Sequence, residues 1–140
     1  MCLYNVFVRP VIEYCSIVYH SMLTLGQAEE LERLQKQVVK LAYGWDRSYN
    51  TICAEQDIPT LKERREKQVD KFIHKAIHSD RFSDVWFPRR DITEYNFRDR
   101  KPFKESKART TRYYNSPLSH MRRRANELYA ESEENENFTQ

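Results

Sequence analysis

Two histidines are the first residues whose spacing suggests chemistry. His74 and His78 stand four residues apart, the separation that helical zinc sites use. The catalytic form of that site has a glutamate directly after the first histidine. Here Lys75 takes that position, and its charge would repel a metal ion. No third ligand is evident, so the sequence predicts no metal site.

Nucleophilic and acid–base chemistry are equally poorly supported. Cys53 could be matched with a histidine as a nucleophile and base, but a buried structural cysteine is the favoured interpretation. The acidic pairs at residues 29–30 and 133–134 fall on segments expected to be exposed, where nothing would shift a carboxyl pKa. We therefore expect no catalysis by this chain itself and no cofactor.

The cysteines and the first residues of the chain indicate the cellular compartment in which the protein is expected. Cys2, Cys15 and Cys53 are odd in number and far apart, so no disulfide framework is indicated. The first 25 residues are fairly apolar, but Arg9 and Glu13 interrupt them, which fits neither a signal peptide nor a membrane span. We expect an intracellular protein, nuclear or cytoplasmic, without membrane association.

The most informative chemistry lies in residues 89–124, here called the basic block. It holds 12 Lys and Arg against 4 Asp and Glu, a net charge of +8 in a chain whose total is +3. Residues 1–88 are balanced at 12 of each sign, and residues 125–140 carry 5 acidic side chains and no basic ones. Such a block attracts polyanions, because lysines and arginines neutralise phosphates and release counterions. Interleaved aromatic rings can stack on unpaired bases.

The basic block therefore predicts a nucleic-acid-contacting surface, with a solvated tail as the alternative. Residues 122–124 are expected on a helix, where three successive arginines cannot all face one groove. The candidate residues are Arg89, Arg90, Arg98, Arg100, Lys101, Lys104, Lys107, Arg109, Arg112, Tyr113, Arg122, Arg123 and Arg124.

Helical periodicity dominates residues 1–88. Residues 3–8 are expected to close a helix before Pro10, and Pro10 to open another that runs to about Ser21. Thr24 and Gln27 form a capping box that starts a helix ending at Gly44. The apolar stripes of these two helices are Val11, Tyr14, Cys15, Val18 and Met22, then Leu31, Leu34, Val38, Leu41 and Ala42.

Further helices are predicted at residues 48–56, with Ile52 and Cys53 inward, and after a second capping box, Thr60 with Glu63. A briefer element spans residues 82–87. The inner face of the long helix is Leu61, Val69, Phe72, Ile73, Ala76 and Ile77. The chain thus reads as all-α: a small irregular helical bundle (1–88), an extended basic and aromatic arm (89–115), a C-terminal helix (116–130) opened by a Ser-Pro pair, and an acidic disordered tail (131–140).

Five short motifs occur in order along residues 4–126: RPVIEYC at 9–15, LERLQK at 31–36, IPTLKERR at 58–65, Phe72 with Lys75, and RTTRYYNSP at 109–117. Together they resemble the region that follows the polymerase core in jockey-type non-LTR retrotransposon reverse transcriptases. In that family the second motif also lies on a helix that ends at a glycine, here Gly44.

The resemblance implies a thumb-proximal, C-terminal segment of an RNA-directed DNA polymerase. Those enzymes hold two metal ions on the Tyr-x-Asp-Asp carboxylates of an upstream palm, and this chain has no Asp-Asp pair. We therefore expect a non-catalytic segment whose partners are the missing polymerase core and the backbone of RNA or an RNA–DNA hybrid.

A second function remains open. The helical part can be a protein-interaction module whose basic arm docks an acidic partner or the chain's own acidic end. The apolar stripes likewise have two interpretations, as the core of a small bundle or as faces that dock on the palm and thumb. Small cores are marginal in stability.

Overall fold

The computed structural model describes residues 4–90 and 101–137, with side chains described as far as residue 131. Within these residues the only β pairing is an isolated bridge between Arg89 and Phe103, so the fold is all-α, as predicted. The α-helices are α1 (Arg9–Glu13), α2 (Ser16–Tyr19), α3 (Leu25–Tyr43), α4 (Tyr49–Gln56), α5 (Leu61–Ile77), α6 (Ser83–Trp86), α7 (Thr111–Tyr114) and α8 (Pro117–Asn137). A π-helical turn, Tyr4–Val8, precedes α1, and a 3₁₀ turn, His20–Met22, follows α2. No helix of the described part is long and apolar enough to cross a bilayer.

The chain divides into two compact units, Met1–Gln68 and Val69–Gln140, and the division falls within α5. They are called the first and the second unit below. The predicted division of the chain at residues 88 and 115, which rests on the loss of apolar periodicity after Pro88 and on the Ser116-Pro117 helix start, stays a prediction about organisation.

The helix predicted from Pro10 to Ser21 is interrupted. Pro10 does lie in the first turn of α1, but Cys15 takes a left-handed conformation (φ 53°) and separates α1 from α2. The Tyr19 hydroxyl donates to the carbonyl of Ile12 (2.6 Å) and thereby fastens α2 to α1. Because of the break, the predicted apolar stripe does not face a core: Val11 is 75% and Tyr14 76% exposed.

Helix α3 begins and ends as predicted. Thr24 and Gln27 form the complete capping box, and Gly44 (φ 112°) ends the helix. The buried face differs from the predicted one, however. Gln35 and Val39 are fully buried, whereas Leu34 and Leu41 are exposed.

The buried face of α3 is explained by the core of the first unit, where Tyr4, Val39 and Ile52 pack together. Gln35 lies among them with its amide satisfied: it accepts from the Tyr4 hydroxyl (3.2 Å) and donates to the Tyr49 hydroxyl (3.1 Å) and the Pro59 carbonyl (3.2 Å). Burial, together with a hydrogen bond to Cys53, raises the pKa of Tyr49.

The N-terminus of α5 is capped from another helix. Glu32 of α3 accepts from the backbone N–H groups of Leu61 (3.3 Å) and Lys62 (2.8 Å). Of the second predicted capping box, the structure shows the bond from the Glu63 N–H to Thr60 Oγ1 (3.2 Å). A carboxylate at this position satisfies orphan donors and complements the helix dipole.

The second unit has its own core. It is made by Val69, Ile73 and Ala76 of α5, Phe87, Phe103, and Met121 and Ala125 of α8. Phe87 and Phe103 meet edge to face, with ring centroids 5.7 Å apart. The chain around Phe103 is fixed by Asn126, whose amide accepts from the Phe103 N–H (2.9 Å) and donates to its carbonyl (3.3 Å).

Helix α8 starts at Pro117, as predicted, but it ends at Asn137 rather than near Tyr129. Residues 131–137 are thus helical, which corrects the prediction of a disordered tail for these residues. Extending an existing helix avoids the cost of nucleation, and glutamate is a good helix former. Residues 138–140 lie outside the described part of the chain.

Candidate nucleic-acid interface

Arg124, one of the predicted phosphate contacts, is already neutralised. Its guanidinium forms a two-pronged ion pair with Asp70 (2.9 and 3.1 Å) and also donates to Glu127 (3.2 Å) and Glu131 (3.4 Å). The hydrogen bonds from Arg124 to Asp70 raise the pKa of the guanidinium further. This arginine ties α8 to α5 within the second unit.

Arg122 connects separate segments of the second unit. Its guanidinium donates to the carbonyls of Trp86 (2.7 Å) and Val85 (3.3 Å) and to the hydroxyl of Ser106 (3.2 Å). These bonds join the end of α6, the arm and α8. None of these partners is acidic, but Nε, Nη1 and Nη2 each donate to an acceptor of the protein.

Arg123 is the third arginine of the run, and it stacks on a ring. Its guanidinium carbon lies 3.6 Å from the centroid of the Tyr114 ring. The three successive arginines therefore have three different environments, in line with their different directions around the helix.

The two lysines near Phe103 are also engaged. Lys101 pairs with Glu105 (3.1 Å), and Lys104 interacts within the protein. Burial raises the pKa of the Glu105 carboxyl, but hydrogen bonds from Asn126 and Lys101 outweigh it, and the net shift is downward. Glu105 is therefore held as a carboxylate beside Lys101.

Five predicted contacts remain available. Their side chains are exposed and make no hydrogen bond or ion pair with any described residue. We call them the free cations: Arg89, Arg90, Lys107, Arg109 and Arg112. Arg98 and Arg100 lie outside the described residues.

The backbone near the free cations is held by hydrogen bonds at two places. Around the Arg89–Phe103 bridge, the Arg90 N–H donates to Pro102 (3.0 Å) and the Lys104 N–H to Pro88 (2.9 Å). Arg112 lies on α7, a short helix that the sequence did not predict and that Thr110 caps by accepting from the Tyr113 N–H (3.2 Å).

Two consecutive tyrosines complete the site. Tyr113 is 47% and Tyr114 50% exposed. Tyr113 was among the predicted contacts, whereas Tyr114 was not. Tyr114 on α7 pairs with Arg123 on α8, nine residues later in the chain. No rule of sequence spacing indicates this pairing.

His74 and His78 lie side by side at the end of α5. The rings of His74 and His78 lie 4.5 Å apart, and His78 Nδ1 contacts the carbonyl of His74 at 2.7 Å. In the part of the chain that is described, no three His, Cys, Asp or Glu side chains are grouped to hold a metal ion.

Two buried arginines in the first unit escaped the sequence analysis. Arg64 is paired with Glu13 and donates to the Tyr4 hydroxyl (3.1 Å). Arg65 is only 2% exposed. Arginines are seldom buried to this extent. Helical spacing was nevertheless a signal, since Arg64 and Arg65 follow Leu61 by three and four residues on the predicted inner face of α5.

Comparisons with protein-family models, with curated proteins and with solved structures found no match to this chain. The likeness to reverse transcriptases thus has the five quoted motifs as its support.

Proposed function

We propose that the second unit binds the phosphate backbone of nucleic acid without catalysing a reaction. The observation that carries this proposal is the group of five free cations. An exposed, unpaired arginine or lysine gains by replacing its counterion shell with phosphates. Of the five, Arg89, Arg90 and Arg112 stand beside backbone groups that are hydrogen-bonded. Arg122 and Arg124 act instead as structural residues of the second unit.

We further propose that this activity belongs to the C-terminal part of a jockey-type reverse transcriptase, where the chain supports the template or primer. Its partner would be the polymerase core. The supporting observations are the five motifs and a set of exposed hydrophobic side chains in the first unit. This set is Val6, Phe7, Val11, Tyr14, Val18 and Met22. Where such side chains form one contiguous patch, the patch is typical of surfaces that meet another protein.

Binding is tested by titrating the full chain into a labelled RNA–DNA duplex and a labelled single-stranded RNA at several salt concentrations. Five phosphate contacts predict that log K falls against log salt with a slope of roughly −4. Replacing Arg112 with Ala should lower the affinity and reduce the slope by about 1. Absence of binding to both probes at low salt removes the proposal.

The polymerase context is tested separately, by sequencing the transcript upstream of the codon for Met1. An in-frame segment that encodes a palm with its Tyr-x-Asp-Asp motif is the expected result. A transcript that begins with an unrelated coding segment would contradict the polymerase context and leave the binding proposal untouched.

The second candidate is a helical protein-interaction module with a basic arm, and the same exposed hydrophobic side chains favour it. Deleting residues 131–140 separates the two functions. If the acidic end competes with phosphates for the free cations, nucleic-acid binding tightens after the deletion. A module that docks protein predicts no such gain.

A further inference from the structure

Tyr113 and Tyr114 present ring surface to solvent on a backbone that is already ordered. The Tyr114 N–H donates to the Thr110 carbonyl (3.0 Å), and the Ser116 N–H donates to the Tyr113 carbonyl (3.1 Å). A ring on a fixed backbone loses little conformational entropy when it stacks on a ligand. In the sequence, Arg112 directly precedes Tyr113 and Arg109 stands four residues before it, and both are free cations.

The environments of the two rings differ. Arg123 covers one face of Tyr114 at 3.6 Å, so a ligand can stack only on the other face or on the guanidinium plane. Tyr113 has no ring or cation contact with any described residue. The pair therefore offers one open ring and one ring backed by a cation.

We infer that this site takes single-stranded nucleic acid, with unpaired bases stacking on Tyr113 and on the Tyr114–Arg123 pair. The inference rests on the proposed function and specifies its ligand. In a duplex the bases are stacked on one another, and their faces cannot reach a protein ring. In a single strand, bases can stack on tyrosines while the phosphates meet Arg109 and Arg112.

The experiment compares three probes that carry the same number of phosphates per strand: a single-stranded oligothymidylate, an abasic strand of the same length, and a blunt duplex. Stacking on even one base predicts that the full chain binds the thymidylate at least about fivefold more tightly than the abasic strand. Tyr113→Ala should remove most of that preference while leaving the abasic affinity unchanged. Arg112→Ala should weaken both.

Two further variants serve as controls for this experiment. Tyr113→Phe keeps the ring and should keep the preference, which separates stacking from damage to α7. Tyr14→Ala removes an exposed tyrosine of the first unit and should change nothing. Equal affinity for thymidylate and abasic strands, or tighter binding of the duplex, overturns the inference and leaves phosphate binding in place. Failure of every probe to bind overturns the proposed function as well.

Discussion

At the scale of single residues, the arginines of the basic block differ in what their guanidinium groups contact. Arg124 holds α8 to α5, Arg122 joins three segments through hydrogen bonds, and Arg112 makes no hydrogen bond or ion pair with a described residue. All three count equally in the net charge of the block. Only their partners distinguish a structural arginine from one that is available to phosphate.

This distinction predicts opposite effects of two matched substitutions. Arg124→Ala removes a two-pronged pair with Asp70 and should lower the free energy of unfolding by about 1–2 kcal/mol, a modest value because both side chains are 31% exposed. Arg112→Ala should change the free energy of unfolding by no more than about 0.5 kcal/mol, but it should weaken nucleic-acid binding. Urea unfolding followed by circular dichroism measures the first quantity. A stable R124A variant and an unstable R112A variant would reverse the assignment.

We expect His120 to make the stability of the second unit depend on pH. Burial lowers its pKa, and the charges of Arg123 and Arg124 add to this effect, while Glu127 and Asp70 oppose it. Because the unfolded chain then binds a proton more readily than the folded one, stability is present above the ordinary pKa of about 6.5 and is lost as the pH falls below it.

Unfolding free energies measured between pH 7 and pH 5 test this expectation. The wild-type chain should lose stability over that range, and His120→Gln should flatten the dependence. Above pH 5, Glu105 contributes little, since its lowered pKa places its titration in more acidic solution. An identical slope in the variant would show that other groups control the acid response.

At the scale of elements, the sequence predicted where helices begin and end better than which face is buried. Thr24, Gly44 and Pro117 act through their own backbone and nearest neighbours, so the ends they mark could be read locally. Burial depends on what packs against a face. Gln35 is buried because Tyr4, Tyr49 and Pro59 supply distant partners, and no periodicity encodes those.

The candidate site, like the buried helix faces, could be predicted only in part from the sequence. Charge composition placed it in residues 89–124, but composition could not separate free cations from paired ones. Asp70 lies 54 residues before Arg124, and Trp86 lies 36 residues before Arg122. Helix α7 was missed because its four residues are too few to show a period, and its cap Thr110 stands within a polar stretch.

The cap that Glu32 places on α5 gives a prediction about one element. Glu32→Ala leaves the N–H groups of Leu61 and Lys62 without this partner and removes a negative charge from the helix N-terminus. We expect a loss of about 1 kcal/mol in the free energy of unfolding. Glu29→Ala, an exposed substitution on the same helix, is the matched control and should change little. Equal stability of both variants would mean that Thr60 alone suffices as the cap.

At the scale of the whole molecule, charge and hydrophobic exposure are distributed unevenly along the chain. The free cations belong to the second unit, whereas the exposed hydrophobic set of residues 6–22 belongs to the first. The first unit meanwhile buries Gln35, Arg64 and Arg65. The proposed function uses this distribution by assigning phosphate binding to the second unit and contact with the polymerase core to the first.

The exposed hydrophobic set gives the last prediction. The isolated chain should bind the apolar dye ANS while folded, because these side chains are uncovered. Phe7→Gln and Val11→Gln should reduce dye binding yet leave the free energy of unfolding within about 0.5 kcal/mol, since exposed substitutions seldom cost more. Ile52→Ala, in the core of the same unit, should cost about 2–5 kcal/mol. If the two glutamine variants were as unstable as Ile52→Ala, Phe7 and Val11 would be core residues and could not belong to a surface that binds a protein partner.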